Sequence, residues 1–176
     1  KIRKITVSLR KYDILKVFIT AKYKVHRTKG NREMILENEK IKQALEYIKE
    51  EDPATTQDTL NMCQIPAPSY KEEKKAEYIR ERFQEIGLRD VRIDAVGNVL
   101  GIWPGTGEGP SVMLAAHTDT VFPEGTDLSI RKEGNRYYCP GINDDTHAVA
   151  EMIAVAKAMI HADLHTKGDL IFCANV

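Results

Sequence analysis

The spacing of apolar residues in the first third of the chain predicts two consecutive helices. One covers residues 33–51, where positions three or four apart on one face are apolar; these positions are Ile41, Ala44, Leu45 and Ile48. The second runs to about Cys63, with Asp52 as its cap and Pro53 in its first turn, a position that tolerates proline. Both helices are predicted to bury one face.

A third helix is predicted to begin at Ser69. Ser69 and Glu72 have the Ser-x-x-Glu spacing of a capping box, in which each side chain bonds the backbone of the other residue. Gly87 is placed to end the helix. The apolar stripe between these signals consists of Ala76, Ile79, Phe83 and Ile86.

The rest of the chain predicts strands around one more helix. Strands are expected at 91–94, 98–103, 111–116 and 170–174, and a hairpin at 128–138 that turns at Glu133-Gly134-Asn135. A helix capped by Asp145 or Thr146 is expected to run through Ile160. The run at 111–116 is continuously apolar, which is typical of a strand inside an α/β sheet. We therefore predict an α/β fold with a mixed, largely parallel sheet flanked by helices.

Composition favours one soluble domain with an N-terminal arm. The chain has 176 residues, of which 42% are hydrophobic and 30% charged. No apolar run approaches the roughly 20 residues that a membrane span needs. Cys63, Cys139 and Cys173 are widely spaced and form no CxxC pattern, which favours reduced thiols and a cytoplasmic protein.

The net charge of zero conceals a basic arm, predicted to cover residues 1–32 and to precede a domain at 33–176. Residues 1–30 contain ten Lys and Arg but only one acid, Asp13. Such a run could bind nucleic acid or a membrane, or it could be a solvated strand, a disordered tail or sequence foreign to the domain. We prefer the interpretations that involve no binding (a solvated strand, a disordered tail or foreign sequence), so no nucleic-acid or membrane partner is predicted.

Two short motifs carry candidate chemistry. His117-Thr118-Asp119 follows the apolar strand, and Asp144-Asp145 lies on a Pro-Gly turn 27 residues after His117. The carboxyl end of a strand in an open α/β sheet is where ligands bind. Imidazole and carboxylate are good zinc ligands, and the spacing lets Asp119 bond the ring nitrogen of His117 that is not on the metal. Alternatively, His117 could be a histidine at a strand end whose hydrogen bonds are all made within the fold, and Asp144-Asp145 could cap the helix that follows.

Other catalytic classes lack their motifs. No Gly-x-Ser-x-Gly elbow occurs, and the Gly-rich loop at 105–109 lacks the Lys-Ser/Thr of a phosphate loop. The remaining histidines are left out of the site. His147, His161 and His165 are more typical of surface or helix-face positions, and His26 lies in the arm.

Together the two motifs resemble the co-catalytic zinc peptidases and deacylases, a family that includes peptidase T, glutamate carboxypeptidase, acetylornithine deacetylase and succinyl-diaminopimelate desuccinylase. The matching segments are residues 114–121 (LAAHTDTV) and 138–146 (YCPGINDDT), supported by Ile65-Pro66-Ala67-Pro68-Ser69 and Gly97-Asn98-Val99. The resemblance covers roughly residues 35–176, the N-terminal part of the family's catalytic domain.

The resemblance implies a truncated zinc exopeptidase-like domain with His117 and Asp144 as metal ligands. Asp144 would bridge two zinc ions, for which cobalt or manganese could substitute, and the peptide bond after it is expected to be cis. Asp119 is assigned to the catalytic residues as the carboxylate that orients His117. The implied reaction is hydrolysis of a small peptide or N-acyl amino acid by a metal-activated water.

In the family a Glu-Glu pair, which supplies the general base and a further ligand, follows the strand equivalent to 169–176. A later domain allows a homodimer. Neither lies within these residues, so we expect the 176 residues alone to be inactive. Within the enzyme class, a peptidase T-like exopeptidase is slightly preferred over an acetylornithine-type deacetylase. The alternative from another class is a non-catalytic truncated homologue that serves as a binding or interaction domain.

Overall fold

The computed structural model describes residues 3–4 and 36–176, so nearly all of the predicted basic arm lies outside the described residues. The helices of this part are α1 (Glu39–Glu50), α2 (Asp52–Cys63), α3 (Glu73–Glu85) and α4 (His147–His161). The strands are β1 (Arg3–Lys4), β2 (Arg89–Ile93), β3 (Val99–Trp103), β4 (Val112–His117), β5 (Arg131–Glu133), β6 (Arg136–Tyr138) and β7 (Leu170–Asn175). Among these helices, none has the length and apolar content that a bilayer crossing needs.

The predicted mixed sheet with flanking helices is confirmed, with a smaller parallel share than predicted. Five strands pair in the order β1-β4-β7-β3-β2, and β4 is parallel to both of its neighbours. The β2–β3 and β3–β7 pairs are antiparallel. The β2–β3 pair arises because Asp94 turns the chain sharply: its Oδ1 accepts bonds from the backbone N–H groups of residues 96–98 at 2.9–3.0 Å. β5 and β6 pair with each other as the predicted hairpin, which is not part of the five-stranded sheet.

The core lies around α4, which is buried along most of its length. α1 and α2 pack against α4, and α4 in turn packs against β4 and β7. The apolar face predicted for α1 is buried at Ile41, Ala44 and Ile48. α4 therefore forms the rigid support on which the turn before it, Ile142–Thr146, is mounted.

The predicted capping box at the start of α3 is wrong. α3 begins at Glu73 with Glu72 as its N-cap, and no side chain bonds the helix end. The chain instead makes a turn in which Lys71 N–H donates to Pro68 O at 2.9 Å and Tyr70 adopts a left-handed φ of 68°. This turn places Ser69 outside the helix. The other end of α3 is as predicted, with Gly87 at a φ of 85°.

Candidate metal centre

His117 is the last residue of β4, at the carboxyl edge of the parallel part of the sheet. It lies opposite Asn175 at the end of β7. The next residue, Thr118, is buried and bonds Asn175 O through its N–H at 2.8 Å and its hydroxyl at 3.1 Å. Because the two strand ends are tied together here, the imidazole projects from a fixed backbone at the edge where α/β sheets bind ligands.

Asp119 holds one side of the His117 ring. His117 Nδ1 lies 3.1 Å from both Asp119 Oδ1 and the Asp119 backbone carbonyl oxygen. Both are acceptors, so Nδ1 carries a proton, and a metal bound at Nε2 would find the lone pair of a neutral imidazole there. The orienting geometry predicted from the His-x-Asp spacing is present.

Asp144 faces the other nitrogen of the same ring. His117 Nε2 and Asp144 Oδ1 are 2.9 Å apart, although the residues are 27 positions apart in the chain. The Asp144 side chain is 87% exposed, and the Asp144–Asp145 peptide bond is cis, as the resemblance implied. The structure therefore brings together the two residues predicted as metal ligands, and their role as ligands stays a prediction.

Two titratable groups at this edge have shifted pKa values. Burial acts to lower the pKa of His117, but the bond to Asp144 and the charges of Asp145 and Asp119 outweigh it, so the pKa is raised. Burial raises the pKa of Asp145, opposed by the nearby His117. The edge is thus strongly acidic and favours a cation at His117.

Sequence reasoning missed Ser69 as a neighbour of the site. Ser69 Oγ donates to Asp119 Oδ2 at 2.8 Å. The local pattern gave no signal for this contact, because a Ser-x-x-Glu sequence is explained equally well by a helix cap.

Sequence reasoning also missed a buried lysine behind the site. The Lys75 side chain is almost fully buried, and its Nζ lies 3.5 Å from the hydroxyl of Thr146, at the end of the turn that carries Asp144. Burial lowers the pKa of Lys75. A cavity of about 10 Å³ adjoins it, lined in part by Cys63, Thr120 and Pro140. The available signal was position: Lys75 precedes Ile79 by four residues and so falls on the buried stripe of α3.

The histidines omitted from the prediction take part in other contacts in the described structure. His147 Nε2 lies 3.1 Å from Glu151 Oε1, one turn along α4. His161 stacks on Tyr47, and His165 stacks on Trp103. His26 lies outside the described residues. Within residues 36–176 no group of three or more His, Cys, Asp or Glu side chains is arranged to hold a metal by itself.

Comparison with known proteins finds similarity to peptidases and related hydrolases. Residues 98–176, which contain both motifs, match the model of "Peptidase family M28". A protein of Pyrococcus abyssi named as a LysW-lysine/LysW-ornithine hydrolase is 45% identical over 60 residues, covering 34% of this chain and 17% of the relative. The chain thus spans less than a fifth of that relative's length.

Solved structures share the fold at low sequence identity. The dipeptidase Dug1p of Saccharomyces cerevisiae superposes with a TM-score of 0.65 at 17% identity, over 76% of this chain and 34% of that one. The aminopeptidase PepT of Bacillus cereus superposes with a TM-score of 0.59 at 18% identity, over 69% of this chain and 35% of that one. Both motifs lie inside the region that matches family M28, and the chain shares the fold of these two peptidases, so over residues 98–176 it is similar to peptidases of this family.

Proposed function

We propose that the whole protein hydrolyses amide bonds in small peptides or N-acyl amino acids, and that this chain supplies His117, Asp119 and Asp144 to a metal-dependent active site. The observation that supports it most is the 2.9 Å approach of His117 Nε2 to Asp144 Oδ1 at the carboxyl edge of the sheet. The domain carrying this site is proposed to be residues 33–176, and residues 1–32 are proposed to be an arm, of which Arg3–Lys4 pairs with β4 of the domain's sheet.

The donor atoms fit a zinc ion. Two ligands at the usual zinc distances in a tetrahedral site are about 3.3 Å apart, close to the separation of the two atoms here. Zinc accepts imidazole nitrogen and carboxylate oxygen alike, and cobalt or manganese accept the same donors. The exposed Asp144 carboxylate has two oxygens, so it is suited to contact two ions. The donors missing from the described residues would come from elsewhere in the whole protein.

Each residue then has a distinct task in the reaction. Metal ions bound here would lower the pKa of a water and polarise the scissile carbonyl. His117 would supply a neutral Nε2, which Asp119 ensures by holding the proton on Nδ1. Asp144 would hold cations at the open edge of the sheet.

The 176 residues alone are proposed to be inactive. A general base must reach the attacking water, and at this edge the carboxylates of both Asp119 and Asp144 already bond the His117 ring. Removing a proton from water is left to a residue outside this set. The wider predictions of a cytoplasmic location and a homodimer depend equally on the whole protein.

Two substrate classes are candidates, and both involve cleavage of an amide bond. The first candidate is a peptidase T-like exopeptidase, which the sequence Asp144-Asp145-Thr146 favours. A deacylase acting on N-acylated amino acids is the second, and the name of the Pyrococcus relative favours it. Both reactions cleave an amide and use the same residues of this chain.

Turnover by the whole zinc-loaded protein tests the proposal. We would measure hydrolysis of a tripeptide series and of N-acetylornithine by wild type, His117→Ala and the matched control His165→Ala. We expect turnover of one series, lost to background in His117→Ala and kept in His165→Ala, because the contacts of His165 are with Trp103, Pro104 O and Asp163 and not with the site residues. Zinc binding without turnover of either series would instead favour a binding domain. Turnover retained in His117→Ala would refute the proposal.

A further inference from the structure

Ser69 has a hydroxyl that the helix start does not use. α3 begins four residues later, and Ser69 Oγ lies 2.8 Å from Asp119 Oδ2 across 50 positions of sequence. The other oxygen of the same carboxylate, Oδ1, is 3.1 Å from His117 Nδ1. Both oxygens of Asp119 are therefore bonded, one to the ring and one to the serine.

We propose that Ser69 is a positioning residue of the candidate metal centre: its hydroxyl fixes the plane of the Asp119 carboxylate, and that carboxylate fixes the His117 ring. The proposal rests on the proposed function, since it assigns Ser69 a task in the same site. A carboxylate bonded at one oxygen only can rotate about its Cβ–Cγ bond, whereas two bonds on opposite oxygens hold it. Partners of this kind that orient a ligating histidine tune metal affinity.

The backbone that presents Ser69 is held independently of its hydroxyl. Pro68 and Thr120 form an isolated parallel bridge. Thr120 donates to Ala67 O from its N–H at 2.7 Å and from its hydroxyl at 3.3 Å, and Ala67 is buried. Removal of the Ser69 hydroxyl is therefore expected to leave the segment in place and to free only the Asp119 carboxylate.

A substrate contact is the competing role for Ser69, because the residue is exposed. The two roles separate experimentally. A substrate contact would change KM and leave the metal-free protein unaltered. A positioning role changes zinc affinity and the state of the His117 ring before any substrate is present.

The experiment uses the whole protein with four variants: Ser69→Ala, Ser69→Thr, Ser129→Ala and His117→Ala. Ser129 is the matched control, since it is also an exposed serine that donates to an aspartate, Asp127, but makes no contact with His117 or Asp119. Zinc affinity would be measured by competition with a chromophoric chelator. The tautomer of the metal-free His117 ring would be read from its ¹⁵N shifts at a pH where the ring is neutral.

We expect Ser69→Ala to bind zinc about three- to tenfold more weakly than wild type, with a larger share of the Nε2-protonated ring. Ser69→Thr, which keeps a hydroxyl, should restore both values to within about twofold of wild type, and Ser129→Ala should match wild type. Unaltered zinc affinity and ring state in Ser69→Ala, or a Ser69→Thr variant as weak as Ser69→Ala, would overturn the inference. If His117→Ala retains wild-type affinity, the proposed function fails, whereas loss of zinc in His117→Ala alone rejects only the role of Ser69.

Discussion

Gly141 lies directly against Thr120, and this contact joins the two motifs of the candidate site. Gly141 has a φ of 76°, and a Cβ built on it would lie 2.7 Å from Thr120 Cγ2. Thr120 follows the His117-Thr118-Asp119 motif, and Gly141 opens the turn that carries Asp144. The absence of a side chain at Gly141 therefore allows Asp144 to approach His117.

Replacing Gly141 with alanine is expected to destabilise the protein by about 2 kcal/mol, from left-handed backbone strain and the clash with Thr120 together. Gly125→Ala is the control for strain alone, since Gly125 has a φ of 85° but no atom within 4 Å of its built Cβ. It should cost about 1 kcal/mol. Denaturant unfolding followed by Trp103 fluorescence gives both values. Adding Thr120→Ser to Gly141→Ala removes the methyl group that clashes, so it should recover the stability that Gly141→Ala loses beyond Gly125→Ala. Equal losses of stability in Gly141→Ala and Gly125→Ala would show that the contact between Gly141 and Thr120 is unimportant.

Lys75→Met is expected to stabilise the protein at pH 7 by about 1 kcal/mol, because a buried ammonium that forms no salt bridge with the described residues costs more than a packed apolar chain. The pKa of Lys75 is lowered from 10.5 in the folded state. Between that lowered pKa and 10.5 the unfolded chain binds more protons, so wild-type stability gains as pH rises through this window. The advantage of the variant should therefore shrink towards pH 10.5.

Unfolding free energies at a series of pH values test this sign. Lys157→Met is the contrasting variant, since Lys157 Nζ lies 3.4 Å from Asp58 and its removal should lower stability instead. A pH-independent difference between Lys75→Met and wild type would contradict the account.

Asp58→Ala is expected to lower stability by about 3 kcal/mol. Asp58 is nearly buried, and Arg82 Nη2 lies 3.0 Å from each of its carboxylate oxygens. The pair, with Lys157, ties α2, α3 and α4 together. Its loss would take the shared carboxylate from both cations and leave Arg82 only its contact with the exposed Glu85. Glu46→Ala, which removes an exposed pair with Lys49, should change stability by less than about 0.5 kcal/mol in the same unfolding assay. Similar losses of stability in Asp58→Ala and Glu46→Ala would contradict the stabilising role of Asp58.

The thiols are expected to differ in reactivity. Burial raises the pKa of Cys63 to about 12, so almost no thiolate forms at pH 8. Burial also raises the pKa of Cys139, but this residue is only half-buried. Iodoacetamide labelling of native protein, read by peptide mass spectrometry, should therefore modify Cys139 first and Cys63 only after unfolding. Labelling of Cys63 at the rate of Cys139 would contradict its burial.

The sequence predicted those parts of the molecule whose signals are local. Helix stripes, the Gly134 hairpin and the strand before His117 all depend on neighbouring residues, and the structure confirms them. The approach of His117 to Asp144 was anticipated because a strand end and a glycine turn before a helix commonly meet at a sheet edge.

Long-range contacts account for the errors. Ser69 satisfied a local capping pattern, yet the bridge between Pro68 and Thr120 redirects its hydroxyl to Asp119. The parallel share of the sheet was overestimated because the pairing of β3 with β7 joins segments about 70 residues apart. Neither contact can be predicted from the sequence pattern of the neighbouring residues.

Zinc affinity of the whole protein tests the central claim most directly, with wild type compared with His117→Ala, Asp144→Ala and the control His165→Ala. Both site variants should bind zinc more than about a hundredfold more weakly, since each loses a direct ligand, while His165→Ala should bind as wild type does. Wild-type zinc affinity in His117→Ala and Asp144→Ala would contradict the central claim.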